Sequence, residues 1–228
     1  MSGKDDLGDR MKRYERSWAG VLPPNSWVLV RVDGRAFRTW TRGCDRPFDG
    51  DIHDSMVAAT QALARDIGGF RLAYTQSDEA TFLFTDTSAH ESQLWFGGEV
   101  SKIVSIAAAG FTAHFNRAHR SRRLPAMFDA RVFTMPREDA PNAFVWRQRD
   151  WERNSVQMLA RHHFTQRDLH GLSRVGMEVK LRENGIEWAD LPPRWRNGTF
   201  VFPSPGGLGL SNDKHDWASI AAMAGIED

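Results

Sequence analysis

The sequence predicts an α+β protein built on a β-α-β-β-α-β core of the ferredoxin type, an antiparallel sheet carrying both helices on one face. Three observations lead there. Runs rich in β-branched and aromatic residues occupy 27–34 and the two halves of 70–85, cut by Asp33-Gly34 and by Ser77-Asp78-Glu79. Apolar residues recur at three and four along 51–67 and 93–118, and a last strand-like run, 128–135, stops at Pro136. In this arrangement the first and third strands lie side by side at the centre of the sheet.

Taken in order, the charged opening holds a short helix over 11–18 before Pro23-Pro24. Along 27–34, Val28, Val30 and Val32 share one face, with Leu29, Arg31 and Asp33 on the other. Asp33 closes the strand, and Gly34 lets the backbone turn close to a ligand. Residues 38–50 read as a loop of turn formers and arginine. The helix over 51–67 presents Ile52, Met56, Ala59, Leu63 and Ile67 as a stripe, started by Asp49 or Asp51 and ended by Gly68-Gly69. Strands 70–75 and 80–85 flank the acidic turn. Val100, Ile103, Val104, Ala107, Phe111 and Phe115 mark the next helix as one laid on a sheet. Helices over 142–163 and 172–183 follow, the second ended by Gly185. The remainder, with Pro192-Pro193, Pro203, Pro205 and Gly206-Gly207, reads as irregular arms. The prediction is a single domain over 1–228, with a core of about 25–136 and a C-terminal helical extension over 137–228.

Composition sets the outer bounds. With 228 residues, 41% of them hydrophobic, the chain can bury a real core. No apolar run reaches the roughly 18 residues of a membrane span, and the N-terminus lacks the layout of a secretory signal. One cysteine, Cys44, excludes an intramolecular disulfide framework and fits a reducing cytoplasm, the expected location. A net charge of +1 argues against bulk polyanion binding. Locally, though, Arg117, His119, Arg120, Arg122 and Arg123 crowd one segment, and Arg147, Arg149, Arg153, Arg161, His162, His163 and Arg167 another. Such clusters are either phosphate contacts or solvated helix faces. His162, His163 and His170 have no convincing ligand spacing, and no metal is assigned to them. Of the nine tryptophans, Trp18, Trp27 and Trp188 are expected to pack rather than stack on bases.

If the central strands are neighbours, Asp33 and Asp78 converge. Two adjacent carboxylates repel and ordinarily hold a cation. With hard oxygen ligands and a phosphate-bearing substrate, that cation is Mg²⁺. The same residues are also ordinary turn signals, Asp-Gly after a strand and a solvated Ser-Asp-Glu.

Val30-Arg31-Val32-Asp33-Gly34-Arg35-Ala36-Phe37, followed by Tyr74-Thr75-Gln76-Ser77-Asp78-Glu79-Ala80-Thr81-Phe82, resembles the signature of the tRNA-His guanylyltransferase family, the 3′→5′ polymerases that add nucleotides to tRNA 5′ ends. The resemblance continues through Arg46-Pro47-Phe48-Asp49, Ser101-Lys102 to Phe111, Phe128-Asp129-Ala130-Arg131-Val132 and Trp146-Arg147-Gln148, covering about 25–155 in order. It implies a palm-like catalytic core and two Mg²⁺ ions held by Asp33, Asp78 and the carbonyl of Gly34. It also implies a catalytic role for Glu79. The nucleotide triphosphate is expected between Asp33, Gly34, Arg35, Ala36, Phe37 and Arg38 on one side and Ser77-Asp78 on the other. The successive backbone N–H groups of 35–38 suit phosphate oxygens. Arg46, Lys102 and Ser105 are further nucleotide contacts, and Arg147, Arg153 and Asn154 are RNA contacts. ATP and GTP are the implied nucleotides, tRNA the partner, and a homotetramer the assembly.

The chain departs from the eukaryotic members twice. Arg38 stands where the family often has histidine, and Glu152-Arg153-Asn154-Ser155 replaces a His-Ile-Asn-Asn motif, keeping only Asn154. The likeness is therefore to the Thg1-like branch, which repairs truncated tRNA 5′ ends by copying the opposite strand, and Glu152 leaves the ATP activation step open. Two other readings compete. A palm-type nucleotide cyclase would carry glycines at the hairpin where Gln76-Ser77 stands. A non-catalytic RNA-binding module would have no need of Asp33, Gly34, Asp78 and Glu79 together.

Overall fold

The computed structural model describes residues 6–17, 19–87, 93–119 and 124–226. Helix α1 (Asp6–Arg16) precedes strand β1 (Trp27–Gly34), the one-turn α2 (Phe37–Trp40) and α3 (Gly50–Asp66). Strands β2 (Phe70–Gln76) and β3 (Glu79–Thr85) form a hairpin, followed by α4 (Val100–Ala118) and β4 (Phe128–Met135). Then come α5 (Ala140–His163), α6 (Gln166–Leu169), α7 (Arg174–Glu183), α8 (Pro193–Asn197), β5 (Thr199–Ser204), β6 (Gly207–Ser211) and α9 (Trp217–Ala224).

All strand pairings are antiparallel in one six-stranded sheet of order β4-β1-β3-β2-β5-β6. The first four strands carry the expected order, with β1 and β3 central. Val28, Val30 and Val32 bury against Ile52, Met56, Ala59 and Leu63 of α3 and Ile103, Ala107, Phe111 and Phe115 of α4. Each of these contributes about 1.5–3 kcal/mol when fully buried if it is large. Asp49 caps α3, its Oδ1 accepting from the Ile52 N–H at 3.0 Å. The opposite face, with Trp27, Leu29, Leu72, Tyr74 and Leu83, packs on Ala140 and Phe144 of α5 and on α9.

Three sequence expectations change. The arms predicted after Pro192 include a hairpin: β5 adds to β2 through Thr75↔Thr199, Tyr74↔Phe200 and Ala73↔Val201, and β6 follows it. Proline and glycine hid these strands, yet Pro203 sits on β5 opposite Leu208 next to the hairpin's turn, beyond the 199–201 stretch that pairs with β2. The helix predicted from 93 begins only at Val100, because Phe96 and Gly97 have φ of 52° and 62° and break the turn before it. The helix predicted over 11–18 lies instead at Asp6–Arg16, and Trp18 falls outside the described residues. Trp27 is buried, and Trp188 packs beside Leu159 and Leu181 while its indole N–H donates to Ser155 Oγ at 2.9 Å.

Candidate active site

Antiparallel register brings the acidic residues to one end of the sheet. Asp33 lies directly opposite Glu79 on one side and Asp129 on the other, and Gln76 lies opposite Glu79. Directly opposed residues project to the same face, so Asp129, Asp33, Glu79 and Gln76 make a polar row across four strands. Asp78 sits at the tip of the β2–β3 hairpin, beside Ser77, which holds the left-handed φ of 49°. The Gly34 N–H donates to the Asp78 carbonyl at 3.0 Å, tying the two acidic turns together. A Cβ built on Gly34 would stand 2.6 Å from Phe37 Cδ2 and 2.9 Å from both Cβ and Oδ2 of Asp78. Only glycine lets the Asp78 carboxylate lie this close to the turn. We predict that Gly34→Ala folds but shifts Asp78 and cuts catalysis by at least about tenfold, as small displacements of reacting groups do; steady-state kinetics beside a circular-dichroism melt check this.

Burial first, and then the Asp33 charge, push the Asp78 carboxyl up to about 6. Hydrogen bonds from its own N–H and from Ser77 oppose the rise. Glu79 differs. Its Oε1 accepts from Arg147 Nε at 2.6 Å and its Oε2 from Arg147 Nη2 at 2.8 Å, while Arg31 stands 3.9 Å away. Burial nevertheless outweighs these cations and raises its pKa. The sequence assigned Glu79 to catalysis and Arg147 to RNA; in the structure the two are paired with each other, both being buried. Arg147 also donates to Asp150 at 2.9 Å, and Arg153 pairs with the same carboxylate. Asn154 reaches Asp150 at 3.4 Å.

The expected cradle is partly present. Ala36 adopts a left-handed φ of 52° and α2 starts immediately after it. The Arg35 N–H is already committed to the Met127 carbonyl at 2.8 Å. Among the described residues, the N–H groups of Ala36, Phe37 and Arg38 have no such partner, an anion-binding concavity of the nest type. The side chains of Arg35, Arg38 and Arg46 are exposed nearby in sequence. Loop 41–49 and the facing ends of α3 and α4 frame an open depression of about 650 Å³, lined in part by Cys44, Asp45, Asp49, Ser55 and His119.

Lys102 and Ser105 are not brought to this end. The start of α4 is stitched to the segment before β1, Val100 N–H to the Gly20 carbonyl and Leu22 N–H to the Gly98 carbonyl. Thr112 of the same helix meets Phe128 at the acidic end, and Lys102 lies about 15 Å before it along the axis. Lys102 pairs with Glu99, and Ser105 donates to the Lys102 carbonyl. Helical spacing revealed which face they take but not which end of the sheet the helix enters from. Glu152 is buried too, held by Arg174 at 3.1 Å and by Lys214. Two residues at the site lie in the 128–132 stretch of the resemblance but have no role assigned there: Asp129, which faces Asp33 across the register, and Arg131, whose Nη2 lies 3.9 Å from Asp33 and 3.5 Å from Asp129. Arg120, Arg122 and Arg123 fall outside the described residues. Among the described residues no helix is long and apolar enough to cross a membrane.

The family model for tRNAHis guanylyltransferase matches residues 8–136, more than half of the chain. A bacterial tRNA(His) guanylyltransferase-like protein solved in complex with ATP is similar at a TM-score of 0.89 and 35% identity, covering 95% of this chain and 95% of its own. Another, solved with GTP, gives a TM-score of 0.77 at 31% identity, covering 96% and 94%. An uncharacterized protein of Acanthamoeba polyphaga mimivirus is 30% identical over 86% of this chain and 77% of its own length.

Proposed function

The chain belongs to the tRNA(His) guanylyltransferase family, in its Thg1-like branch, and from that premise we propose that it extends tRNA 5′ ends in the 3′→5′ direction by template-dependent repair. The observation that carries this reading is the packing of the Asp78 carboxylate onto Gly34, one residue from Asp33. Asp33 is near enough for its charge to raise the Asp78 pKa, and two hard carboxylates with the Gly34 carbonyl are a donor set that suits Mg²⁺. When bound, a pair of Mg²⁺ ions neutralises charge on the attacking and leaving oxygens of an in-line displacement at phosphorus.

The chain's own residues supply position. The N–H groups of 36–38 hold triphosphate oxygens, and the exposed Arg35, Arg38 and Arg46 of the same segment balance their charge. The 650 Å³ depression has room for a nucleobase. Glu79, locked by Arg147, positions the acidic row and does not itself touch substrate. Lys102 and Ser105 have no part in this nucleotide site. ATP and GTP, the nucleotides in complex with the two bacterial structures, are the substrates. The 5′-monophosphate end attacks the α-phosphorus of ATP and takes up AMP with release of pyrophosphate, and the incoming nucleotide's 3′-OH then displaces that AMP. A 5′-triphosphate end reacts directly and releases pyrophosphate. Watson–Crick pairing selects the incoming nucleotide, so the protein need read only RNA shape and backbone. Assembly as a homotetramer completes the reading, and light scattering measures it.

The deciding assay combines the protein with Mg²⁺, ATP, labelled GTP and a tRNA lacking its first nucleotide. Labelled RNA one nucleotide longer is the expected product. Cyclic dinucleotide formed without RNA would replace this reading by a cyclase, and RNA bound without product would replace it by a binding module.

A further inference from the structure

Beside the acidic row lies a surface that nucleotide transfer, as derived so far, leaves unused. Trp146 of α5 is 54% exposed, although the sequence's other large aromatics mostly pack inward. One side of its ring is covered by the Arg147 guanidinium, 4.7 Å from the ring centroid, and Arg31 stands at 6.0 Å. Because Arg147 is itself clamped by Glu79 and Asp150, the indole is held by a fixed support. Arg31 precedes Asp33 by two residues on the same face of β1, a separation of about 6–7 Å. On the neighbouring strand, Arg131 lies opposite Arg31 and reaches Asp33, and Phe133 is 36% exposed beyond it.

The helix adds the charge. Trp146, Arg149 and Arg153 recur at i, i+3 and i+7, so they share one stripe of α5, and all three are exposed. An exposed aromatic with cations along the same stripe is the arrangement that binds nucleic-acid strands, the ring stacking on a base and the arginines following the phosphates. We propose that this stripe is the docking platform for the 5′-terminal nucleotides of the RNA, with Trp146 stacking on a base next to the reacting end and Arg149 contacting backbone phosphate. Successive nucleotides rise about 3.4 Å along a strand, so Arg31, which stands beside the Trp146 ring, lies roughly two nucleotides from Asp33. The occupant is RNA rather than protein because the stripe is cationic and ends at a site for nucleotide chemistry. The proposal rests on the function above, and its tests separate the two.

The first test places 2-aminopurine at the first or second position of the tRNA 5′ end and follows its fluorescence without nucleoside triphosphate. Wild-type protein is expected to quench it by stacking, Trp146→Phe to quench it partly, and Trp146→Ala to leave it bright. In extension kinetics Trp146→Ala raises KM for RNA about tenfold, within the range for losing one stacked base, while KM for GTP and kcat stay within about twofold. Arg149→Ala lowers the slope of log affinity against log salt by about one. Equal quenching by wild type and Trp146→Ala, with an unchanged KM for RNA, would overturn the platform while leaving nucleotide transfer intact. Dissociation of the oligomer by Trp146→Ala, without change in RNA binding, would also overturn it and mark the face as a contact between copies. Trp146-dependent quenching by a protein that never extends RNA would overturn the proposed function and uphold the platform.

Discussion

Asp78→Asn is expected to abolish RNA extension, by about a thousandfold or more, while making the metal-free protein more stable. The activity loss follows from removing the carboxylate that packs on Gly34, one of the two hard carboxylates assigned to Mg²⁺ and near enough to Asp33 to feel its charge. The stability gain follows from the charge removed. In the folded protein the carboxyl is pushed up to about 6 from its ordinary 3.8, by burial and by Asp33. The folded state thus binds this proton more tightly than the unfolded state does. The unfavourable contribution is present in full above about pH 6, shrinks as the pH falls through 6, and is gone below 3.8. Glu79, also raised, acts with the same sign. Metal-free wild type should therefore melt higher at pH 5 than at pH 7, and Asp78→Asn should lose much of that difference. At pH 7 the variant gains on the order of 1–3 kcal/mol, or roughly 2–10 °C in Tm for a chain of this size. A variant with wild-type extension, or a lower Tm in metal-free buffer, would contradict the arrangement. The proton also competes with Mg²⁺, so extension should weaken below about pH 6.

Arg147→Ala should produce the largest loss of stability, about 3–5 kcal/mol, because it leaves the Glu79 carboxylate buried without the partner that fills both its oxygens. In thermal unfolding that is roughly a 6–20 °C fall in Tm. The double variant Glu79→Gln/Arg147→Met should recover most of the loss, since neither charge is then stranded. A double variant as unstable as the single would show that Arg147 acts by filling space and not by neutralising Glu79. The same experiment tests whether Glu79 touches substrate. If it only positions the acidic row, the double variant retains measurable extension, whereas Asp78→Asn does not.

Much of the fold was legible because strands and helices announce themselves locally. The alternation of Val28, Val30 and Val32, and the stripe from Ile52 to Leu63, give element type and inward face, and the split topology then places β1 beside β3. What local pattern missed is equally specific. The β5–β6 hairpin carries Pro203, Pro205 and Gly206-Gly207, which read as breakers until the register shows them clustered at the turn of an edge hairpin. Lys102 and Ser105 lie on the anticipated helix, yet at the sheet end remote from Asp33, because the periodicity of a helix carries no information about its direction across a sheet. Arg147 and Glu79 are separated by 68 positions, and nothing in either neighbourhood names the other.

By itself the sequence determined the secondary-structure rhythm, the two hydrophobic faces and the identity of Asp33, Gly34 and Asp78 as the acidic turns of a central strand pair, since these follow from side-chain type and spacing along the chain. Only the tertiary structure decided which charges are free to meet a ligand. That outcome depends on burial and on partners brought from distant segments: Arg147 turns inward to Glu79, Glu152 is taken by Arg174 and Lys214, and Trp146 is left facing solvent beside the site.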